Sequence, residues 1–330
     1  MLPRKKSDRE AMKRPWNGPH PPLMLAPMQG LTNRAMRAVQ CDIGQPDVVF
    51  TEFVRVSHVA RQRITRSDCH EVLAGSDDVP LVVQLIGHTP EALAQATQQV
   101  EKLGARHLNL NMGCPFGRTT SGKTGGAMLQ QPELIEACLD AVVREFSGSV
   151  SVKVRSGYDD PEQIFTLLPL FERSGIDFIV LHPRTVVQKY QGLADHAITA
   201  RVVVATILPV IANGDIVSAE QGLTLLEESG AAGLMLGRGA IANPWLFAQL
   251  RRQLPQADEA QRYRQSCDYL NRLAEEYQRL FCGEHQALGK LKSVLECFSE
   301  PGLLPLVKKL RRCKTLPRFL SELQDVGEGE

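Results

Sequence analysis

Short apolar runs alternate with helical patterns along the chain from residue 23 to about residue 250. Eight of these runs have the length and continuous apolar character of strands buried on both faces of a parallel sheet. They span residues 23–27, 47–51, 80–86, 106–111, 149–154, 176–181, 208–213 and 232–236. Helical periodicity lies between several of them, at residues 90–103, 132–145, 161–174 and 218–229. Eight β-then-α units in this length predict an α/β fold, a (β/α)₈ TIM barrel.

The main alternative to a barrel is a doubly wound sheet. Such a sheet usually has fewer strands and a glycine-rich turn after its first strand, and no such turn follows residue 27. Gly104, Gly175 and Gly230 lie just beyond helical patterns, where the left-handed end of a helix suits glycine. The barrel is therefore the favoured fold.

The chain changes character on both sides of this region. Residues 258–325 show helical periodicity throughout and predict three or four helices. Residues 1–20 are charged, carry Pro15 and Pro19 and lack periodicity. We therefore expect a basic mobile tail over residues 1–20, a catalytic barrel over 21–253 and a small all-helical C-terminal domain over 254–330.

Charge is distributed unevenly although the formal net charge is only +1. Residues 1–20 carry a net charge of +4 and residues 251–320 a net charge of +6, so the remainder is acidic. The C-terminal cations include Lys290, Lys292 and a run between residues 308 and 314. Basic ends on an acidic body suit a nucleic-acid surface, although a solvated helix face is the commoner reason for charge runs.

Several classes of protein are disfavoured by the sequence. The eight cysteines form no C-x-x-C pair, and His and Asp do not cluster at predicted strand ends, so we expect no metal site. No apolar run approaches the ~20 residues that cross a bilayer. The basic N-terminus is not followed by the apolar region of a signal peptide. We expect a cytoplasmic protein without a membrane segment.

Chemistry in a TIM barrel sits at the C-terminal ends of the strands, and unusual residues occur there in this chain. They are Pro27, Met28 and Gln29, then Gln84, Asn111, Cys114, Lys153, Arg155 and His182, and finally Asn213, Gly214, Asp215, Gly237, Arg238 and Gly239. Each has an ordinary structural explanation when taken alone. Their joint placement predicts a ligand site at this face.

Two parts of this set indicate a ligand with a phosphate and a flavin ring. Gly214, Gly237 and Gly239 would let backbone N–H groups approach an anion, and Arg238 could add a forked contact. Lys153 lies within an apolar strand, where a charge is costly unless paired. It could stabilise the N1–C2 edge of a reduced flavin, with a pair to a core carboxylate as the alternative.

Four polar residues allow two interpretations each. Gln84 could contact a flavin edge or belong to a buried amide network, and His182 could contact a ligand or be a core histidine. Asn111 could bind a base edge or the backbone of its own loop. Tyr190 could stack on a base or fill a gap.

Cys114 follows Gly113 and precedes Pro115, which predicts a sharp turn at a strand end. No neighbouring base is evident in the sequence to activate the thiol as a nucleophile, so a protonated thiol acting as a general acid is favoured. Glycines at 122, 125 and 126 predict a mobile lid over the same face.

Taken together, these residues resemble the tRNA-dihydrouridine synthase family. The matching strings occur in the family's order and are Leu25–Met28, Thr51–Phe53, Val83–Leu85, Leu110–Pro115, Val152–Arg155, His182–Thr185, Ile211–Asp215 and Met235–Gly239. Residues 51–56 and 125–127 are most similar to the bacterial C-type branch. Phe116 stands where the family usually has Ser, and the lid is about one residue longer than in that branch, so the target uridine is the least determined part.

The resemblance implies an FMN-containing barrel and a helical domain that binds tRNA. NADPH would reduce the FMN, hydride would pass to C6 of a D-loop uridine, with position 16 as the candidate, and Cys114 would protonate C5. A monomer is expected. The flavin contacts carried over from the family are Pro27, Met28, Gln29, Gln84, Lys153, His182, Asn213, Gly214, Asp215, Gly237 and Arg238. The RNA contacts are Asn111, Arg155 and Tyr190 for the uracil, and Lys290 and Lys292 for the rest of the tRNA.

Two other functions compete with this one. An FMN barrel could reduce a small molecule, but such an enzyme would not need a basic helical appendage. A non-catalytic RNA-binding relative would lack bound flavin.

Overall fold

The computed structural model describes residues 14–75, 78–116 and 123–324. Its strands are all paired in parallel and follow one another around a closed barrel. They are Leu23–Leu25 (β1), Val48–Phe50 (β2), Val54–Arg55 (β3), Leu81–Ile86 (β4), His107–Met112 (β5), Ser149–Arg155 (β6), Phe178–His182 (β7), Val210–Asn213 (β8) and Gly233–Leu236 (β9). The pairings β1–β9 and β2–β4 close the ring. The predicted eight-position (β/α)₈ barrel is confirmed.

The second barrel position is divided between β2 and β3. Phe50 of β2 pairs with Val82, whereas Val54 of β3 pairs with Leu85, so four residues on one strand oppose three on the other. The extra residue interrupts the ladder between β2 and β3, as in a β-bulge. The sequence pattern does not predict β3, because this strand has only two residues, Val54 and Arg55, and is not an apolar run.

Helices separate the strands and cover the outside of the barrel. They are Arg34–Ile43 (α1), Arg66–Leu73 (α2), Pro90–Lys102 (α3), Pro132–Glu145 (α4), Gln163–Arg173 (α5), His196–Ala205 (α6), Ala219–Ser229 (α7), Arg238–Ala242 (α8) and Leu246–Leu250 (α9). Local sequence explains their ends: Asn33 and Ser218 cap α1 and α7 with side-chain oxygens, and Gly230 closes α7 in the left-handed conformation. The four predicted helical patterns correspond to α3, α4, α5 and α7.

The end of the predicted N-terminal tail is attached to the barrel. Trp16 packs edge-to-face on Phe178, with ring centroids 4.9 Å apart. Phe178 begins β7, so Trp16 covers the N-terminal end of the barrel, where the strands start. Trp16 thus has a packing partner on the barrel. Residues 1–13 lie outside the described part, and the mobile tail over residues 1–20 stays a prediction.

Four helices follow the barrel, as the sequence predicts: Glu259–Leu280 (α10), Glu284–Val294 (α11), Leu304–Arg312 (α12) and Leu316–Gln324 (α13). The long helix α10 packs along α1 and buries Tyr269, Leu270, Leu273 and Tyr277. These side chains belong to one apolar cluster with residues of α1, α8 and α9. The core therefore continues from the barrel into the helical region, while the predicted boundary near residue 254 stays a prediction.

A continuous core implies that the two regions unfold together. We expect Leu270→Ala, a truncation of a fully buried side chain, to lower the free energy of unfolding by about 2–5 kcal/mol. Tryptophan fluorescence from Trp16 and Trp245 and far-ultraviolet circular dichroism should shift together in denaturant. The control Leu304→Ala, on an exposed position of α12, should change stability little. If Leu270→Ala lowered the denaturant midpoint measured by circular dichroism but left the midpoint measured by fluorescence unchanged, the shared core would be contradicted.

Candidate active site

A cavity of about 870 Å³ opens at the C-terminal ends of the barrel strands. All the predicted site residues line it except Gln84, Lys290 and Lys292. Phe116, which departs from the family's pattern, also lines it. Further wall residues, which were not among the predicted site residues, include Phe53, Arg55, Ile216 and Val217 from the barrel and Ser293, Glu296 and Cys297 from the helical region. The structure therefore brings the strand-end residues together and adds a wall from the helical region.

Two turns at the ends of β8 and β9 require glycine. Gly214 has φ +127°, and a Cβ there would lie 3.3 Å from His182 Nε2. A Cβ on Gly239 would lie 2.2 Å from the carbonyl oxygen of Ile216, which no side chain tolerates. Bare backbone therefore borders the cavity at the position where this fold commonly binds phosphate.

Asp215 is the centre of a charged network beside these turns. Arg184 donates to its two carboxylate oxygens at 3.2 and 2.6 Å, Arg238 donates at 3.2 Å and the Ala194 N–H at 2.8 Å. Burial raises the pKa of Asp215, but the bonds from Arg184 and Ala194 outweigh burial and hold it below its usual range. Asp215 thus orients Arg238, whose side chain remains half exposed toward the cavity. Arg184, which lies in a string that matches the family, was not among the predicted site residues, yet it fixes Asp215 in place.

Lys153 has an amide partner rather than a carboxylate. Its Nζ donates to Asn213 Oδ1 at 2.7 Å, and Asn213 in turn donates to the Met235 carbonyl at 2.8 Å. Burial and then the Arg155 charge lower the pKa of Lys153 to about 7, with Cys114 acting in the opposite direction. Of the sequence alternatives for Lys153, a core carboxylate pair is not found among the described residues. Lys153 lines the cavity, where an anionic ligand could supply the missing negative charge.

A ladder of side chains crosses the barrel interior below the cavity. Asn111 donates to Gln84 at 2.8 Å, Gln84 to Asn109 at 2.7 Å, and Asn109 to Ser151 at 2.9 Å. Gln84 is fully buried and does not reach the cavity wall. The geometry therefore supports the amide network and not a direct flavin contact for Gln84. Asn109 was missed, although alternating asparagines in an apolar strand are a recognisable sign of an inward polar row.

Asn111 also folds the loop that carries the thiol. Its Oδ1 accepts the backbone N–H groups of Gly113 at 3.1 Å and Cys114 at 3.0 Å. The Cys114 carbonyl accepts the Gly126 N–H at 3.0 Å, and Gly125 packs against the Cys114 backbone with φ +61°. Of the two sequence interpretations of Asn111, binding to its own loop is observed. The predicted lid residue Gly122 lies outside the described part of the chain.

Arg155 connects the loop after β5 that carries Cys114, here called the thiol loop, to the loop after β7. It is buried, and it donates to the carbonyls of Gly113 at 2.9 Å, Thr185 at 2.8 Å and Lys189 at 2.6 Å. Its guanidinium also lies 5.4 Å from the ring centroid of Tyr190. Arg155 is therefore mainly a structural clamp, with its remaining surface on the cavity wall.

Aromatic rings and cations meet at the mouth of the cavity. Tyr190 is half exposed, with Phe116 at 6.2 Å and His182 at 6.5 Å between ring centroids. Arg238 lies 5.4 Å from the Tyr190 centroid. Burial, followed by nearby cations such as Lys153, lowers the pKa of His182 to about 2, so its imidazole is neutral. This mouth suits a flat ring that can stack on Tyr190.

The two lysines assigned to tRNA lie outside this wall. Lys290 donates to the Gly30 carbonyl at 2.9 Å, and Lys292 follows two residues later on α11. Within residues 14–75, 78–116 and 123–324, no group of three or more His, Cys, Asp or Glu residues could hold a metal ion. No helix in that part of the chain is both long and apolar enough to span a membrane.

Comparison with known proteins points to one family. The family model described as "Dihydrouridine synthase (Dus)" matches residues 24–300. A Rhodobacter capsulatus protein named "Probable tRNA-dihydrouridine synthase" is 32% identical over 298 residues, which cover 88% of this chain and 90% of that protein. The "tRNA-dihydrouridine synthase B" of Pseudomonas aeruginosa is 35% identical over 232 residues, which cover 69% of this chain and 68% of that protein.

Among solved structures, histamine dehydrogenase from Rhizobium sp. 4-9 superposes with a TM-score of 0.57 at 12% identity. The superposition covers 82% of this chain and 48% of that chain, and it concerns the fold alone. Four relatives, from Pseudomonas aeruginosa and three other bacteria, are named B rather than C. These names do not support the expected similarity of residues 51–56 and 125–127 to the C-type branch.

The clamp formed by Arg155 predicts how the thiol loop responds to a conservative change. Arg155→Lys keeps the charge but cannot reproduce the forked contacts to three carbonyls. We expect Cys114 to react severalfold faster with iodoacetamide, as measured by peptide mapping, because its loop opens more often. The exposed Cys282 serves as an internal reference. An unchanged ratio of Cys114 to Cys282 labelling would show that the clamp does not restrain the loop.

Proposed function

Because the chain belongs to the dihydrouridine synthase family, we propose that it reduces a uridine of tRNA in the cavity at the barrel mouth. The flavin is proposed to be FMN and the reductant NADPH. One observation carries the proposal: a thiol held at a defined position by Asn111 shares its cavity with Lys153 and the glycine turns of β8 and β9. We place the reaction in the cytoplasm and expect the protein to act as a monomer.

The wall residues fit a flavin mononucleotide. Gly214 and Gly237 offer bare backbone and Arg238 a half-exposed guanidinium, the groups that suit a terminal phosphate. The Lys153 ammonium has no carboxylate partner among the described residues, and it would complement negative charge at the N1–C2 edge of the ring. Pro27, Met28 and Gln29 complete the wall on the β1 side, and the neutral His182 contributes a hydrogen-bonding group without charge.

Uracil reduction needs one hydride and one proton. When bound in its reduced form, FMN would supply the hydride for C6 of the uracil. The Cys114 thiol donates its proton to C5, which leaves a thiolate. Arg155 and Lys153 lie within electrostatic range of Cys114 and would stabilise that thiolate. This arrangement makes Cys114 a general acid and needs no base beside it.

The target base must leave its stack to meet a flavin in the cavity, because a paired or stacked base cannot lie flat against the ring. Tyr190 and Arg238 at the mouth would receive it, with Asn111 and Arg155 bordering its edge. Lys290 and Lys292 are the family's candidates for contact with the rest of the tRNA. Position 16 of the D-loop remains the candidate uridine. Phe116 borders this pocket and would influence that choice.

The role of Cys114 predicts a defect confined to one step. In Cys114→Ala, binding of FMN and its reduction by NADPH should be unchanged. Reoxidation of the reduced flavin by tRNA, followed anaerobically by its absorbance, should slow by about 10²–10⁴-fold, the usual contribution of a general acid.

Cys282→Ala, at an exposed position beyond α10, should behave as the wild type and controls for thiol loss. Reoxidation by tRNA at the wild-type rate in Cys114→Ala would remove the proton-donor role. A colourless purified protein that takes up no FMN would contradict the proposed function as a whole.

The lowered pKa of Lys153 predicts a pH-dependent affinity for FMN. The free site holds a cation below about pH 7 and loses it as the pH rises, so binding above that pH must take up a proton. Fluorescence titration of apoprotein should show FMN affinity falling between pH 7 and 9, by up to about tenfold per pH unit. Lys153→Gln should bind weakly and with little pH dependence. A flat wild-type profile over this range would contradict the assignment.

A further inference from the structure

Lys290 lies where the helical region meets the loop after β1. Its Nζ donates to the carbonyl of Gly30 at 2.9 Å, a contact between residues 260 positions apart in the chain. Gly30 has φ +84° in a tight turn that follows Met28 and Gln29. The N–H groups of Leu31 and Thr32 both donate to the Met28 carbonyl, at 2.9 and 3.0 Å. A shift of Gly30 would therefore move the cavity wall beside it.

An acidic side chain from the divided second strand meets the same turn. Glu52 lies between β2 and β3 and is partly buried. Burial raises its pKa, while the Gly30 N–H, Lys290 and Arg37 oppose that effect. One of its carboxylate oxygens is buried without a hydrogen-bond partner among the described residues. A buried carboxylate of this kind is costly unless a cation compensates it, and Lys290 lies within electrostatic reach.

The ammonium of Lys290 is thus engaged from several sides by protein. Besides Gly30 and Glu52, the ring of Phe281 at the end of α10 lies with its centroid 5.6 Å from Nζ. Lys292 stands two residues further on α11, and successive residues turn by about 100°, so the two lysines leave the helix in nearly opposite directions. The resemblance gives them the same role, but their surroundings differ.

We propose that Lys290 is a positioning residue, which holds α11 against the Gly30 turn and thereby couples the RNA-binding helices to the flavin wall. This inference rests on the proposed function for the identity of the two ligands. The two lysines therefore have different roles: Lys290 positions α11, whereas Lys292 contacts the phosphate backbone of the RNA. The coupling extends to the cavity wall that the helical region forms, because Ser293, Glu296 and Cys297 follow Lys290 on the same helix and the turn after it.

The test compares Lys290→Met with Lys292→Met in the full chain. Without tRNA, Lys290→Met should weaken FMN binding by roughly twofold to thirtyfold, the range of couplings carried through packed contacts, and should alter the visible circular dichroism of bound flavin. Lys292→Met should leave both unchanged. In tRNA binding, Lys292→Met should reduce the slope of log affinity against log salt by about one, whereas Lys290→Met should leave the slope unaltered.

Lys290→Arg keeps a cation that can donate to Gly30, so it should show the wild-type flavin dichroism. That result would attribute the defect of Lys290→Met to the lost cation rather than to misfolding. Wild-type FMN affinity and dichroism in Lys290→Met would overturn the proposal. A salt slope reduced in Lys290→Met as in Lys292→Met would also overturn it, because Lys290 would then be an RNA contact. The flavin measurements need no turnover of tRNA, so they stand even if the proposed reaction fails.

Discussion

The site depends on the hydrogen bonds that fix Asn111 between the barrel interior and the thiol loop. One end of this amide is tied to Gln84 and the buried row beneath it, and the other end accepts the N–H of Cys114. Buried amides are costly when unsatisfied and rigid when every group is paired, so the row determines one loop conformation. The position of the Cys114 thiol thus follows from strand pairing deep in the barrel.

Electrostatics then determine what the cavity can hold. Lys153, Arg155, Arg184 and Arg238 converge on it or on its rim, and Asp215 is the carboxylate that neutralises two of them. Placing that many cations together is unfavourable in an empty site and favourable around an anionic ligand. The same field that receives a phosphate and a reduced flavin would also stabilise the thiolate left after proton donation. Under the proposed function, cofactor binding and proton transfer would therefore depend on the same cations.

The barrel and most of the residues that line the cavity could be predicted from sequence, because apolar runs of strand length and glycines at strand ends can be recognised in short stretches of the chain. What the sequence could not show depends on distant contacts. Gln84 reads as a possible ligand residue until its neighbours on β4 and β5 are known. Lys290 resembles an RNA contact until the carbonyl of Gly30, far away in the chain, is seen to accept a hydrogen bond from its ammonium group. Trp16 reads as part of a tail because nothing near it in sequence reveals Phe178.

The most direct test of the account is position-resolved mapping of dihydrouridine in tRNA from cells that lack this protein. We predict that dihydrouridine disappears at one D-loop position, with position 16 as the candidate, and that it returns when the wild-type chain is supplied. An unchanged dihydrouridine map would contradict the account, because the cavity, its cations and its thiol would then serve another substrate.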